Sequence, residues 1–259
     1  MRKISSTLVV LVLCFGFYAC NTQKEQKEET VQTEIEQPEV KPLVEKVLSA
    51  EEQAKLTPDE VIRIFKEGNQ RFMNNDLTTR DHSAQVRNST NGQFPKAVIL
   101  SCLDSRVPVE DVFDRGIGDI FVARVAGNFV NEDILGSMEF GCKVAGAKLI
   151  LVMGHEHCGA VKATIDNVKL GNITTMLDKI QPAVAMAADY EGEKNSKNDE
   201  FVHMVCENNI INTINEIRVN SEILNEMESN NEIKIIGAIY DMDTGEVVFI
   251  DEAVTAPAL

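Results

Sequence analysis

Two short segments concentrate the residues able to hold a metal. Ser101-Cys102-Leu103-Asp104-Ser105-Arg106 sets a thiol, a carboxylate and a guanidinium at every second position, and Gly154-His155-Glu156-His157-Cys158-Gly159 offers an imidazole and a second thiol. Two thiolates and an imidazole are good zinc ligands, and a catalytic zinc keeps three protein ligands and an open fourth position for water. His-x-x-Cys spacing lets His155 and Cys158 turn inward from one loop. His157 competes for the imidazole role, but it adjoins Cys158, and adjacent side chains seldom converge on one metal. A disulfide between Cys102 and Cys158 is the other use of these thiols, permitted in an oxidising cell envelope. On spacing alone, zinc site and disulfide both stand.

The elements around these segments favour convergence. Ala97–Ser101, Ile120–Val125 and Leu149–Met153 are short, apolar and rich in β-branched residues, as buried parallel strands are. Helical stretches separate them, one over residues 132–146, and alternating strands and helices imply right-handed crossovers and a parallel sheet. Cys102 directly follows the first strand, and His155 and Cys158 follow the third. Ligands of open parallel sheets gather outside the carboxyl ends of the strands, so all three residues belong to one edge. Thr57-Pro58-Asp59-Glu60 marks a helix start with a capping box. Residues 80–95 read as a loop. Helices are expected over about 158–169, 174–188 and 202–229, with a polar loop over Glu191–Glu200. Ile233–Tyr240 and Glu246–Asp251 complete the set as two strands joined by a turn. The expected fold is α/β, a central, mostly parallel sheet flanked by helices.

The chain has 259 residues, with 41 acidic against 25 basic side chains and a formal net charge of −16. No Lys/Arg-rich run exists, which argues against nucleic acid as a partner. The N-terminus carries Arg2 and Lys3, then an apolar run Leu8–Tyr18 shorter than the ~20 residues needed to span a bilayer. Ala19 precedes Cys20, which is signal-peptide grammar and resembles a bacterial lipoprotein signal, although Phe17 stands where Leu is usual. That resemblance implies lipidation at Cys20, attachment to the membrane through a lipid anchor only, and a place in the bacterial cell envelope as a periplasmic or outer-membrane lipoprotein. Residues 20–56 lack glycine and aromatic side chains and are rich in Glu, Gln, Lys and Thr. Such a segment buries too little apolar surface to offset the entropy of ordering, although some helix near Val44–Leu56 is compatible with its composition. The expected organisation is a signal peptide over 1–19, an acidic flexible tether over 20–56 and one catalytic domain over 57–259.

With the motifs Cys102-Leu103-Asp104-Ser105-Arg106 and His155-Glu156-His157-Cys158-Gly159 in this order, the chain resembles the β-class carbonic anhydrases. Lys66-Glu67-Gly68-Asn69-Gln70-Arg71-Phe72, Ala123-Arg124-Val125-Ala126-Gly127-Asn128 and Gly136-Ser137-Met138-Glu139-Phe140 add to the likeness, which covers roughly residues 57–255. The resemblance implies one Zn2+ per chain on Cys102, His155 and Cys158, with Asp104 and Arg106 as the catalytic dyad. It also implies that Asp104 can swing onto the metal as a fourth ligand in a closed state. Gln93, Phe121 and Phe140 fall where relatives place substrate-binding and pocket-lining residues, with Phe140 at a position where some carry Tyr. Gly159 is expected to let the backbone pass close to the metal. Cys142 and Cys206, on predicted helices, read as buried free thiols. The implied activity is reversible hydration of carbon dioxide to bicarbonate and a proton by a zinc-bound hydroxide, in a homodimer or higher homo-oligomer. The rival readings are a CS2 or COS hydrolase on the same scaffold and a non-catalytic zinc-binding envelope lipoprotein.

Overall fold

Apolar, fully buried strands set the architecture. In a computed structural model, which describes residues 42–251, the strands β1 (Ala97–Ser101) and β3 (Leu149–His155) are buried along their whole length. They pair in parallel, Ala97 with Leu149 through Ser101 with Met153. Strand β2 (Ile120–Arg124) lies parallel on the other side of β1, and β4 (Lys234–Tyr240) lies parallel beyond β3. The short β5 (Val247–Phe249) closes the edge antiparallel to β4, giving the order β2-β1-β3-β4-β5. The expected α/β fold with a mostly parallel sheet is therefore the observed one.

Alternating side chains feed two cores, one on each face. Ile99, Leu149, Leu151, Met153 and Ala238 pack against the helices α2 (Pro58–Met73) and α4 (Val109–Val112). Val98, Leu100, Ile150, Val152 and Ile235 pack against α5 (Glu132–Glu139), α9 (Asp199–Asn220) and α10 (Glu222–Ser229). A third cluster lies at the carboxyl edge. It joins Cys102 and Cys158 to α6 (Gly159–Ile165), α7 (Gly171–Leu177), α8 (Gln181–Met186) and the first half of α9.

Several expected elements are subdivided, each for a local reason. Helix α2 starts as foreseen, with Thr57 and Glu60 forming the capping box. The stretch 132–146 is α5 followed by a π-helical turn, Phe140–Val144. The stretch 174–188 is two helices, α7 and α8, and a proline in the first turn of α8 marks the restart. The stretch 202–229 breaks at Ser221, whose extended backbone ends α9 and whose hydroxyl caps α10 by accepting from Leu224 N at 3.2 Å. The polar residues 80–95 include the helix α3 (His82–Asn88), capped by Asp81.

The largest difference concerns residues 42–56, which pack on the domain instead of continuing a flexible tether. Val44 bridges Arg80 in parallel, donating to Thr79 O at 2.9 Å and accepting from Asp81 N at 3.1 Å. In α1 (Ala50–Ala54), buried Gln53 donates to Pro95 O and Ala145 O at 2.7 and 2.8 Å. One buried amide thus satisfies two loop carbonyls, a gain that composition does not register. Residues 1–19, Cys20 and the tether up to residue 41 lie outside the described residues.

Asp114 secures the segment on which Val44 rests. Its side chain is wholly buried, accepts from Thr78 N and Oγ1 at 3.1 and 2.7 Å, and pairs with Arg71 Nε at 2.5 Å and Arg80 Nη1 at 2.6 Å. Burial alone would raise its pKa, but the Thr78 hydroxyl and the two guanidinium groups outweigh it and bring it down to about 2. Removing one partner of a buried pair costs about 3–5 kcal/mol. Because Arg71 is partly exposed, Asp114→Ala should lower the unfolding free energy by about 3 kcal/mol in urea titration. The folded pKa lies below the unfolded value of ~3.9, so this stabilisation is present above that value and fades as the pH falls towards about 2. The wild type should accordingly lose more stability than Asp114→Asn over that window.

Candidate metal centre

The strand order places the candidate ligands at one point. The chain leaves β1 towards β2 on one side and later enters β3 on the other, so the carboxyl ends of β1 and β3 flank a topological switch point, where α/β sheets bind ligands. Cys102 follows the last residue of β1. Strand β3 runs two residues further along β4, to Gly154 and His155, and ends at the turn leading to Cys158. Among the described residues Cys102, His155 and Cys158 are the one group whose ligand atoms lie mutually within 4.8 Å, and all three are buried.

The donor set fits zinc. The two Sγ atoms are 3.9 Å apart, close to the ~3.8 Å that a tetrahedral centre with 2.3 Å Zn–S bonds requires. They are free thiols, far beyond the ~2.05 Å of a disulfide, so the alternative pairing of Cys102 with Cys158 is not the arrangement found. His155 Nδ1 donates to Glu156 O at 2.8 Å, and its Nε2 is buried without a hydrogen-bond partner. A zinc-ligating histidine typically anchors one nitrogen on a carbonyl and offers the other to the metal. His157 is turned away. Its φ of 56° reverses the chain, and its Nδ1 lies 3.7 Å from Asp199 Oδ1.

The sulfurs are electrostatically prepared for a cation. The Cys158 thiol donates to Cys102 and, with His155 and the Gly127 N–H, holds Cys102 well below the ordinary thiol range; the same contact and burial push Cys158 up. By contrast, burial pushes both Cys142 and Cys206 up to about 12, so these free, buried thiols stay protonated. Cys206 donates to His155 O at 3.6 Å.

Beside the ligands, Arg106 grips Asp104. Its Nε and Nη2 reach Oδ1 and Oδ2 at 2.9 and 2.7 Å, and its backbone N donates to Oδ1 at 2.9 Å. These bonds hold the Asp104 carboxyl well below the usual carboxylate range. Arg124, at the end of β2, donates from Nε to Cys102 O at 2.9 Å and from Nη2 to Asp104 O at 2.5 Å. It braces the loop that carries both a ligand and the carboxylate.

A family model described as carbonic anhydrase matches residues 97–247. Carbonic anhydrase 2 of Mycobacterium tuberculosis is 32% identical over 198 residues, covering 73% of this chain and 91% of that protein. A carbonic anhydrase of Mycolicibacterium smegmatis is 32% identical over 193 residues, covering 71% and 89%. This chain belongs to the carbonic anhydrase family. Its fold is that of the β class: the structures of the β-carbonic anhydrases CcaA and CafA, the latter from Aspergillus fumigatus, superpose with TM-scores of 0.59 and 0.60. Both are 22% identical and cover 76% of this chain, which in turn covers 97% and 95% of theirs.

Not every site residue expected from that family reaches the ligands in one carbonic anhydrase chain. Gln93 is exposed and precedes β1, whereas Cys102 follows it. Five strand residues, about 17 Å of rise, separate the two ends. Phe121 is the second residue of β2, level with Val98, and its ring lies 6.5 Å from that of Phe140. The two rings share a groove with Val98 and Ile134 that includes no metal ligand. Gly159 opens α6 directly after Cys158, and among the described residues a Cβ there would meet nothing within 4 Å. Asp104 is held by Arg106 outside the three-ligand group, which is the open arrangement and not the closed one with Asp104 on the metal.

Three supports received no role from the sequence: Arg124 and Gly127, which lie in the segment Ala123–Asn128, and Asn209, which lies outside every motif. Gly127 N donates to Cys102 Sγ at 3.3 Å, and Asn209 Nδ2 on α9 holds Gly127 O at 2.8 Å. Gly127 has a φ of +85°, and a Cβ there would sit 2.3 Å from Ile180 Cδ1, so glycine is required twice over. The family-like segment Ala123–Asn128 was the sequence signal for Arg124 and Gly127, and Asn209 had none.

Elemental analysis should find about one zinc per chain of protein purified without chelator. Cys102→Ser and His155→Ala should each lose most of it, whereas Cys142→Ala should keep the wild-type content. Loss of zinc from Cys142→Ala alone would place the metal elsewhere.

Proposed function

We propose that this carbonic anhydrase hydrates carbon dioxide reversibly, giving bicarbonate and a proton, at the centre formed by Cys102, His155 and Cys158. The observation that carries the reading is the adjacency of a three-donor zinc site to a carboxylate locked by its own arginine. A zinc ion held there would supply a Lewis acid that polarises water at neutral pH. The protein's own residues supply the rest. Two thiolates donate more charge than two imidazoles and weaken that acid, so another group must help fix the nucleophile. Asp104, kept ionised by Arg106, accepts a hydrogen bond from the attacking water and turns its lone pair towards the carbon of CO2. The bidentate grip leaves Asp104 little freedom to rotate. Arg124 keeps Cys102 and Asp104 at a fixed separation by holding both of their carbonyls. The new C–O bond makes bicarbonate, and the proton leaves to buffer.

Stopped-flow CO2 hydration tests this directly. Asp104→Ala should retain zinc and lose about 10²–10⁴-fold in kcat/KM, the range of a positioned acid–base group. Arg106→Lys should fall between, because an ammonium cannot form the two-pronged pair. A zinc-loaded wild type inactive on CO2 but active on CS2 or COS would overturn the substrate.

Location and assembly extend this reading. Support for a homo-oligomer comes from the half-buried edge strand β2 and from Phe140 and Val144, 53% and 70% exposed beside it, together with two β-carbonic anhydrases of Sordaria macrospora described as tetrameric. No helix among the described residues is long and apolar enough to cross a membrane, so membrane attachment rests on the signal sequence and Cys20. Labelled palmitate should enter the wild-type chain expressed in bacteria, and Cys20→Ser should remain unlabelled. Equal labelling of both would remove Cys20 as the lipid site.

A further inference from the structure

Helix α9 is apolar where it meets the sheet: Ile210, Ile214 and Ile217 are fully buried in the second core. Asn209 and Thr213 interrupt this pattern one helical turn apart, each only 1% exposed. Burying an amide in place of an apolar side chain is unfavourable unless its polar atoms find partners. Among the described residues the Asn209 side chain makes one hydrogen bond, from Nδ2 to Gly127 O at 2.8 Å, while its Oδ1 has none. Thr213 Oγ1 donates to Asn128 O at 3.4 Å. Asn209 and Thr213 therefore converge on one turn, Gly127–Asn128.

That turn needs holding. Gly127 and Asn128 have φ values of +85° and +39°, a left-handed pair that only glycine and, at some cost, asparagine adopt readily. What the turn delivers is the Gly127 N–H, aimed at Cys102 Sγ at 3.3 Å. An N–H donor on a thiolate draws charge away from sulfur. It thereby reduces what the sulfur gives to a metal and strengthens the metal as a Lewis acid, the usual effect of groups that surround ligands.

We infer that Asn209, seconded by Thr213, is a positioning residue for the metal centre: it fixes the Gly127 amide on the Cys102 sulfur and so sets the charge that Cys102 donates. This rests on the zinc reading of Cys102, His155 and Cys158, and it assigns a task to a helix that touches none of the reacting atoms.

The test uses cobalt(II) in the full-length protein, because the sulfur-to-cobalt charge-transfer absorption reports electron density on the thiolates. Asn209→Leu keeps the approximate volume and removes the donor. Its charge-transfer band should move to longer wavelength, and its zinc affinity, measured against a competing chelator, should fall about 10-fold because the turn that orients Cys102 is loosened and this outweighs the greater donation of the freed sulfur. Asn208→Ala is the control. Asn208 is the neighbouring residue on α9 and donates to Ala183 O at 3.3 Å, so its loss should leave the band in place. A folded Asn209→Leu with the wild-type band and affinity overturns the inference, as does an Asn208→Ala band displaced equally. Should Asn209→Leu fail to fold, Thr213→Val decides: a smaller shift in the same direction supports the inference and an unmoved band overturns it. A wild type that takes up neither cobalt nor zinc overturns the metal reading and this inference together, so the two failures are distinguishable.

Discussion

Two sulfurs 3.9 Å apart in a buried place form the constraint around which the domain is arranged. As thiolates they repel, and burial penalises each charge. A fold that keeps them so close must supply positive potential, from a cation and from oriented N–H groups. The structure meets both needs at the carboxyl edge of the sheet. The Gly127 amide and the imidazole of His155 face Cys102, and Cys102, His155 and Cys158 bring together three donor atoms able to hold a cation. The other two described cysteines show the contrast: Cys142 and Cys206 lie in apolar surroundings that favour the neutral thiol. Of the four buried sulfurs, two stand together beside His155 and two stand apart from any second donor group.

Strand length does the positioning. Strand β1 stops at Ser101, so Cys102 leaves the sheet at once, while pairing with β4 carries β3 two residues further. The extra length lifts His155 above the plane where Cys102 departs, and the reversal at His157 returns the chain so that Cys158 meets Cys102. A one-residue change in the register of β3 would turn His155 to the opposite face, since side chains alternate along a strand. Fully buried Leu149, Ile150, Leu151, Val152 and Met153 prevent that slip, because both faces of the strand are packed. The hydrophobic core thus acts on the chemistry by fixing a register.

Much of this was legible in the sequence because it is local. Short apolar β-branched runs identify β1, β2 and β3, and a thiol directly after a strand must lie at its carboxyl edge. The ligand triad and the Asp104–Arg106 pair follow from spacing and the family motifs. What stayed hidden depends on contacts distant in the chain. Gln53 serves carbonyls of Pro95 and Ala145, so the order of residues 42–56 could not be read from their polar composition. Asn209 lies 82 positions from the carbonyl it holds, and in a helical pattern it reads as a polar residue on an apolar face. Gln93, Phe121 and Phe140 show the opposite case, in which motif position suggests a common site and the sheet sets them near its amino end.

The charge balance of the molecule bears on the reaction's two directions differently. Carbon dioxide is uncharged and indifferent to a net charge of −16, whereas bicarbonate is an anion. Surface charges are screened beyond about 8–10 Å at physiological ionic strength, so the acidic exterior acts on product mainly after it has left the centre, where it discourages return. Within that distance the local charges decide. Arg106 is neutralised by Asp104, but Arg124 spends its hydrogen bonds on two neutral carbonyls, so its positive charge has no carboxylate partner in those contacts. That charge stands on the backbone of the loop that carries Cys102 and Asp104. The net acidity of the chain therefore says little about the centre itself, where the nearest cationic groups are Arg106, paired with Asp104, and Arg124, which braces the ligand loop.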